Sequence, residues 1–298
     1  MFVGQHEEVY PEYLDFFVEP GRESEIAGAL AERLLERHQR LFDVVHLEHV
    51  LADAVCAPVW RAAFARAGID LVRTNETPCP SVQLPSTFEA YMAGRSGHFR
   101  RLVSYYERRL RKEAPIRYLF APKEIPVDRA LDEVIRLNRD RWGEEGRSFR
   151  TRAIIEFHER IAPILVEKGE ALLMLMTMAD RVVAGRYDFV YGGKVWGYQG
   201  GWLREYENWR LGTILLARVI HWSIERGLSE YDFLGGGETY KEQWSTVTKE
   251  MADHVGYRRT SLAGQAWRVA MRGRAELKTR LTPEHLGKLR AFRKKLGL

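Results

Sequence analysis

The sequence predicts an α/β protein whose mixed, mainly antiparallel sheet is flanked by helices, and three observations carry that reading. Ala171 to Met178, Val182 to Tyr191 and Lys194 to Trp202 are consecutive period-two strands, joined by Ala179-Asp180-Arg181 and by Gly192-Gly193. The Gly-Gly pair is a strong hairpin signal, so the three form an antiparallel meander. A helix then runs from Asn208 to Arg226 with Leu211, Leu215, Val219 and Trp222 on one stripe, and Gly227 stops it before a strand at Glu230 to Leu234. Strand, helix and strand in that order make a crossover between parallel neighbours.

The other elements follow in order. Glu23 to Gln39 places Ile26, Leu30, Leu34 and Leu35 on one stripe and reads as an amphipathic helix. Phe42 to Leu47 and Ile69 to Arg73 read as buried strands, separated by a helix from Val59 to Ala67 that Gly68 closes. Pro78, Pro80 and Pro85 are expected to break the chain. Helices follow at Phe88 to Ala93 and His98 to Glu113, then a strand at Ile116 to Phe120. Two more helices, Val127 to Trp142 and Phe149 to Lys168, precede the meander. Asn208 is placed to cap the crossover helix. After it, Gly235-Gly236-Gly237 leads into a short helix at Thr239 to Ser245, a strand lies near His254 to Thr260, and the remainder reads as helix.

Composition narrows the function classes. The chain has 298 residues, 45% hydrophobic and 29% charged, which suits a water-soluble globular protein of two modest domains or one large one. The longest apolar stretch, around Leu172 to Met178, is too short to span a bilayer. Glu7, Glu8, Glu12 and Asp15 occupy the first twenty residues, with no basic leader of a secretory signal. Two cysteines, Cys56 and Cys79, make no disulfide framework and have no metal-ligand spacing, and the nine histidines show none either. A cytoplasmic protein without a metal is the expectation. Net charge is +5, but its distribution says more. Arg95, Arg100, Arg101, Arg108, Arg109, Arg111 and Lys112 crowd one helical segment, and a second cluster runs from Arg268 to Lys295. Either suits an anionic partner such as a nucleotide-linked sugar, a coenzyme phosphate, RNA or a lipid surface, or is simply a solvated helix face.

Three stretches could carry chemistry. Asn208-Trp209-Arg210-Leu211-Gly212-Thr213 opens the crossover helix. Free N–H groups and the positive dipole end at such a start, with the charge of Arg210 and close approach at Gly212, suit a pyrophosphate. The same turn also fits a plain helix start with a small residue for packing. In the second stretch Asp232 ends a buried strand, the glycines hinge the chain, and Glu238, Tyr240, Lys241 and Trp244 fall on one helical turn. Ligands of open α/β sheets gather beyond the carboxyl ends of strands, although Asp232 could serve only as a cap and Lys241 only as surface. In the third, Tyr91 to Lys112, Tyr105 and Tyr106 interleave with arginines including Arg100 and Arg101, a face for an anionic acceptor or a charged interdomain helix.

At these residues the sequence resembles a known family. Trp209 to Leu216, Gly227, Tyr231-Asp232-Phe233, Tyr240-Lys241 and Trp244 look like the cellulose-biosynthesis-associated acetyltransferases, the CelD/BcsL type of the GNAT superfamily, and are also similar to Fem-type aminoacyltransferases. Tyr91, Arg100-Arg101 and Arg141-Trp142 also look like family positions, and the likeness extends from about residue 80 to 255. It implies a partial N-terminal GNAT-like domain over 1–114 whose opening strands are absent, a catalytic GNAT domain over 115–262, and a basic helical tail over 263–298. The superfamily's Gln/Arg-x-x-Gly-x-Gly loop is reduced here to Gly212 with Arg210 nearby.

The function implied is direct acyl transfer from acyl-CoA, as co-substrate, to an amine or hydroxyl of a sugar or cell-envelope precursor. The strands ending at Trp202 and Leu234 would splay to admit the pantetheine arm, and a backbone N–H there would stabilise the oxyanion. Asp232, desolvated at a strand end, or Glu238 would act as general base, Tyr240 would protonate the leaving thiolate, and Lys241 would hold an anionic acceptor or the oxyanion. Arg210, Leu211, Gly212 and Thr213 would bind the coenzyme; Arg100, Arg101 and Trp244 would bind the acceptor. Two alternatives stand beside this: a Fem-type transferase using aminoacyl-tRNA, and a non-catalytic partner of polysaccharide-synthesis machinery.

Overall fold

The computed structural model describes residues 11–38, 43–143, 148–266, 268–270 and 273. Its elements are α1 (Glu23–His38), β1 (Val44–Leu51), α2 (Ala57–Arg66), β2 (Ile69–Gln83), α3 (Phe88–Ala93), α4 (Gly97–Glu113), β3 (Ile116–Phe120), α5 (Val127–Trp142), α6 (Arg152–Glu167), β4 (Ala171–Met178), β5 (Arg181–Tyr191), β6 (Lys194–Trp202), α7 (Leu211–Glu225), β7 (Glu230–Asp232), α8 (Thr239–Trp244) and β8 (Val247–Arg258). A 3-10 helix, Arg204–Trp209, links β6 to α7. This is a mixed α/β fold with a mostly antiparallel open sheet flanked by helices. The chain forms two compact units: Thr77–Met251 with residues 11–12, and Tyr13–Glu76 with the described residues from Ala252 on. The strands β2 and β8 each run from one unit into the other.

In the first unit the strands lie in the order β8-β2-β7-β6-β5-β4-β3. The pairs β2/β7, β3/β4, β4/β5 and β5/β6 are antiparallel, and β6/β7 is parallel as the crossover predicts. Nearly all of β4 is buried, so its apolar run is continuous rather than period two. Leu172, Met174, Met176 and Met178 pack with Phe99, Val103 and Leu110 of α4 and Leu215 and Val219 of α7. Leu173 and Leu175 pack with Leu131 and Val134 of α5 and Ala162 and Val166 of α6. Each such buried side chain contributes about 1.5–3 kcal/mol, so this two-sided strand is the spine of the unit.

Three expectations change. The prolines do not break β2, which continues to Gln83. The Pro80 carbonyl accepts from the Phe233 amide (3.1 Å) and the Pro78 carbonyl from the Gly236 amide (3.0 Å), so on that edge only acceptors are required. The last strand starts at Val247, not near His254. Asn208 does not cap α7: it lies in the 3-10 helix, and the cap position belongs to Arg210 in a left-handed conformation (φ 53°, ψ 37°). The compact units divide at Glu76/Thr77, and α4 buries its apolar face in the same core as α7. Most of the basic tail lies outside the described residues, and no helix among those described is long and apolar enough to cross a membrane.

The second unit is built on Trp60, Phe64 and Ile69 with Ala27 and Ala31 of α1. Beside that core, buried Asp253 accepts from the His49 amide (3.0 Å) and from Asn75 Nδ2 (2.8 Å), and lies 3.3 Å from His46 Nε2. His46 Nδ1 faces Glu48 at 3.4 Å. Its pKa is raised, chiefly by the hydrogen bond to Asp253, while hydrogen bonds from His46, Asn75 and His49 outweigh burial and hold Asp253 down at about 2. A raised histidine pKa gives stability that is complete below the unfolded value and lost as pH rises through the folded one. The melting-temperature advantage of wild type over His46→Gln should therefore be largest at about pH 5.5 and shrink by about pH 8.5. An advantage that grows with pH would contradict the pairing.

Candidate functional site

The site begins where two parallel strands part. β6 and β7 are in register over three positions, Lys194↔Glu230, Val195↔Tyr231 and Trp196↔Asp232. Beyond Trp196, β6 stays paired with β5 as far as Ala184↔Trp202, but among the described residues no strand faces 197–202 from the other side. The chain after Asp232 turns away instead: Asp232 Oδ1 accepts from the Leu234 amide (2.8 Å), Leu234 takes φ 61°, and the Phe233 amide goes to Pro80. A side chain bonding the backbone two residues on is a standard turn device, and a non-glycine left-handed residue costs about 1 kcal/mol or more. The result is a wedge-shaped opening.

The glycines of β6 shape its walls. A Cβ on Gly197 would lie 2.7 Å from the Tyr231 hydroxyl, and one on Gly200 would lie 3.4 Å from Arg186. A Cβ on Gly201 would fall on the backbone of Leu137 and Asn138, so α5 can lie against the strand only because residue 201 has no side chain. From α5, Asn138 Nδ2 donates to Gln199 Oε1 (3.1 Å) and to the Gly200 carbonyl (3.3 Å). Arg141 donates to the same carbonyl at 3.4 Å; its guanidinium sits 3.6 Å from the Trp202 ring centre and 4.3 Å from that of Trp142. Burial lowers the Arg141 pKa to about 10. Arg186 is held by both oxygens of Asp188 (2.8 and 2.6 Å) and donates to the Tyr231 hydroxyl (2.6 Å). Burial works against its charge, but Asp188 and Tyr231 more than compensate and raise its pKa. The Tyr240 phenol lies within electrostatic reach of both arginines.

The loop after β7 sorts the expected catalytic residues into two groups. Glu238 and Tyr240 are open, with 53% of the Glu238 side chain and 41% of Tyr240 exposed. Asp232 and Lys241 are not. Asp232 is fully buried, one oxygen on the Leu234 amide and the other 3.0 Å from Lys249 Nζ. Lys249 also meets Glu230 (2.5 Å), whose pKa falls to about 2 because Lys194 and Lys249 outweigh burial. Lys241 donates to the Gly235 carbonyl (2.8 Å) and pairs with Glu238 Oε2 (3.0 Å), closing the loop on itself. Gly236, at φ 133°, lies beneath that pair, where a Cβ would strike the Glu238 carboxylate. Trp244 is core: it packs edge-on to Phe99 (4.8 Å) and its carbonyl accepts from the Tyr91 hydroxyl (2.6 Å) and Arg95 (3.2 Å).

At the start of α7, Leu211 is buried, Gly212 and Thr213 are partly exposed and Arg210 is exposed. The space beside Gly212 belongs to Trp202, whose ring atoms a Cβ would meet at 2.7 and 2.9 Å. Gly212 therefore has a packing role against the indole. Arg109 of α4 stacks on Trp209 (4.2 Å), whereas Arg100 and Arg101 are exposed on α4, Arg100 making one long bond (3.4 Å) to the Ala93 carbonyl. The sequence reading missed Arg186, Asp188 and Trp202 and gave Arg141 no role. Charges at i and i+2 inside the apolar stretch Val182 to Val190 were the signal for the first two. Among the described residues no group of His, Cys, Asp or Glu is placed to hold a metal.

Residues 97–242, which include the splayed strands and most of the loop, match the family described as Acetyltransferase (GNAT) domain. This segment is a GNAT-type domain. Its fold recurs in FemX (TM-score 0.55, 13% identity, covering 81% of this chain and 78% of that one) and in L-PGS from Bacillus licheniformis (0.50, 14%, 79% and 74%). A conserved protein of unknown function from Bacteroides thetaiotaomicron is similar too (0.52, 12%, 78% and 75%). At these identities the likeness concerns fold. No curated protein sequence matches the chain.

The contact between Gly212 and Trp202 is testable as a pair. Gly212→Ala should cost about 1–3 kcal/mol in urea unfolding, and markedly less in a Trp202→Ala background. Equal costs in both backgrounds would show that the indole does not set the need for glycine.

Proposed function

We propose that the GNAT-type domain transfers an acyl group from acyl-CoA directly to an amine or hydroxyl of a sugar or cell-envelope precursor. The observation that carries this is the opening between β6 and β7, which leaves one edge of residues 197–202 unpaired. An unpaired strand edge offers N–H and C=O groups to an extended, amide-bearing chain such as the pantetheine arm. The first turn of α7 fits the diphosphate: its opening amides precede any acceptor within the helix, and Arg210 stands exposed at its head. In this reading Leu211 and Gly212 contribute backbone amides, while the Thr213 amide already donates to the Arg210 carbonyl (2.9 Å).

The proton inventory follows from burial and partners. Asp232 has both oxygens engaged in holding the turn and the Lys249 pair, so Glu238, the open carboxylate, is the better base for the acceptor proton. Tyr240, beside Arg141 and Arg186, is placed to return a proton to the leaving sulfur. Lys241, buried against the Gly235 carbonyl and Glu238, positions the base rather than touching the acceptor.

The Fem-type reading, with aminoacyl-tRNA as donor, is favoured by one observation: Arg100, Arg101, Arg108, Arg111 and Lys112 are exposed along α4, a cationic face suited to a polyanion. The two readings separate in one set of measurements. Saturating acetyl-CoA should raise the melting temperature, and Arg210→Ala should weaken that shift. Glu238→Gln should lower turnover by about 10²–10⁴-fold with an unchanged melt, whereas Asp232→Asn should lower the melting temperature. No shift with acetyl-CoA, together with salt-sensitive retention of labelled aminoacyl-tRNA, would replace this reading by the second.

A further inference from the structure

The cations around the opening do not balance alike. Arg186 is neutralised by Asp188 and Lys241 by Glu238, yet Arg141 forms no ion pair among the described residues. Its single hydrogen bond is the long one, 3.4 Å, to the Gly200 carbonyl. A guanidinium has five donors, so most of its capacity is unspent. None of its nitrogens is among the buried polar atoms without a partner, so the unspent donors of this half-buried group are not sealed from solvent. The group is nevertheless fixed in place, lying on Trp202 at 3.6 Å and beside Trp142 at 4.3 Å. A planar cation stacked on indole and turned outward by its free edge is the arrangement that takes an oxyanion in two parallel hydrogen bonds.

Position decides which ligand carries that oxyanion. Trp202 touches both ends of the site: the guanidinium covers its ring, and Gly212 of α7 meets its six-membered ring atoms. The donor's phosphates are assigned to the start of α7, at Arg210. Arg141 belongs to α5 and lies within electrostatic reach of Tyr240 and Glu238, the two groups given the protons of the transfer. We propose that Arg141, held flat on Trp202, is the anion-recognising group of the acceptor site, so that the acceptor is an acidic molecule bearing a carboxylate or a phosphate. The proposal rests on the acyltransferase reading of this opening. It narrows the acceptor from any sugar or envelope precursor to an anionic one. It also explains why this cation makes no direct ion pair among the described residues: the substrate supplies the partner.

Tryptophan fluorescence of the full chain, titrated at constant ionic strength with sodium acetate, inorganic phosphate and acetyl-CoA in separate arms, tests it. Wild type should respond saturably to acetate if the acceptor group is a carboxylate, and to phosphate if it is a phosphate. Arg141→Gln should weaken that response about tenfold or more while changing the acetyl-CoA arm less than about threefold. If Arg141→Gln does not melt cooperatively, Arg141→Lys carries the test, because a point charge lacks the planar fork and should weaken anion binding about threefold or more. The proposal fails if wild type shows no saturable response to either anion, or if the response survives in these variants. It fails equally if acetyl-CoA affinity drops with the anion response, because the arginine then serves the donor. If acetyl-CoA does not bind wild type at all while the anion response depends on Arg141, the anion subsite stands and the acyl-CoA reading falls.

Discussion

The chemistry proposed here depends on one constraint: β7 ends after three paired residues. Asp232 enforces that end by taking the Leu234 amide into a turn while its other oxygen is tied to Lys249. The strand is then redirected toward the carbonyls of Pro80 and Pro78, which accept the Phe233 and Gly236 amides. Had β7 continued alongside β6, the edge of residues 197–202 would be closed by ladder hydrogen bonds and nothing could enter. Asp232, a candidate base by its sequence position, is thus also the residue that makes the opening.

The opening is kept by absence of side chains as much as by their presence. Gly197 makes room for the Tyr231 phenol, Gly200 for Arg186 and Gly201 for the backbone of α5. With those three positions bare, α5 reaches the strand and delivers Asn138 and Arg141 to the Gly200 carbonyl. Buried charges on either side are satisfied in pairs, Arg186 with Asp188 and Lys249 with Glu230 and Asp232. Removing one partner of such a pair costs several kcal/mol because the other is left buried and alone. The rigid part of the site is therefore ionic, and the open part comprises Glu238, Tyr240 and Arg141.

Much of this was legible in the sequence, and the rest had physical reasons not to be. The meander, the crossover helix and its closing glycine followed from periodicity and turn residues. The parallel pairing of β6 and β7 followed from the crossover alone. The proline stretch was misread because strand statistics assume that both N–H and C=O are needed, whereas Pro78 and Pro80 stand where only acceptors are used. Gly212 was ambiguous because a glycine at a helix start says that something comes close without saying what, and here it is Trp202. Asp232 and Lys241 have the residue types of a catalytic site, but their spatial partners, Lys249 and the Gly235 carbonyl, turn them into structural ties. Arg141 was legible only as one of the positions that carry the family likeness, and its role was not, since that lies in a cation with no ion-pair partner among the described residues.

Acyl transfer at this site requires that the parted strands hold the acyl donor. Hydrogen exchange resolved to short peptides measures this directly. With saturating acetyl-CoA, the amides of residues 197–202 that β5 does not hold should exchange more slowly, together with those opening α7, while the unit containing Tyr13–Glu76 is unchanged. Protection confined to other segments, with residues 197–202 exchanging as in the free protein, would contradict it.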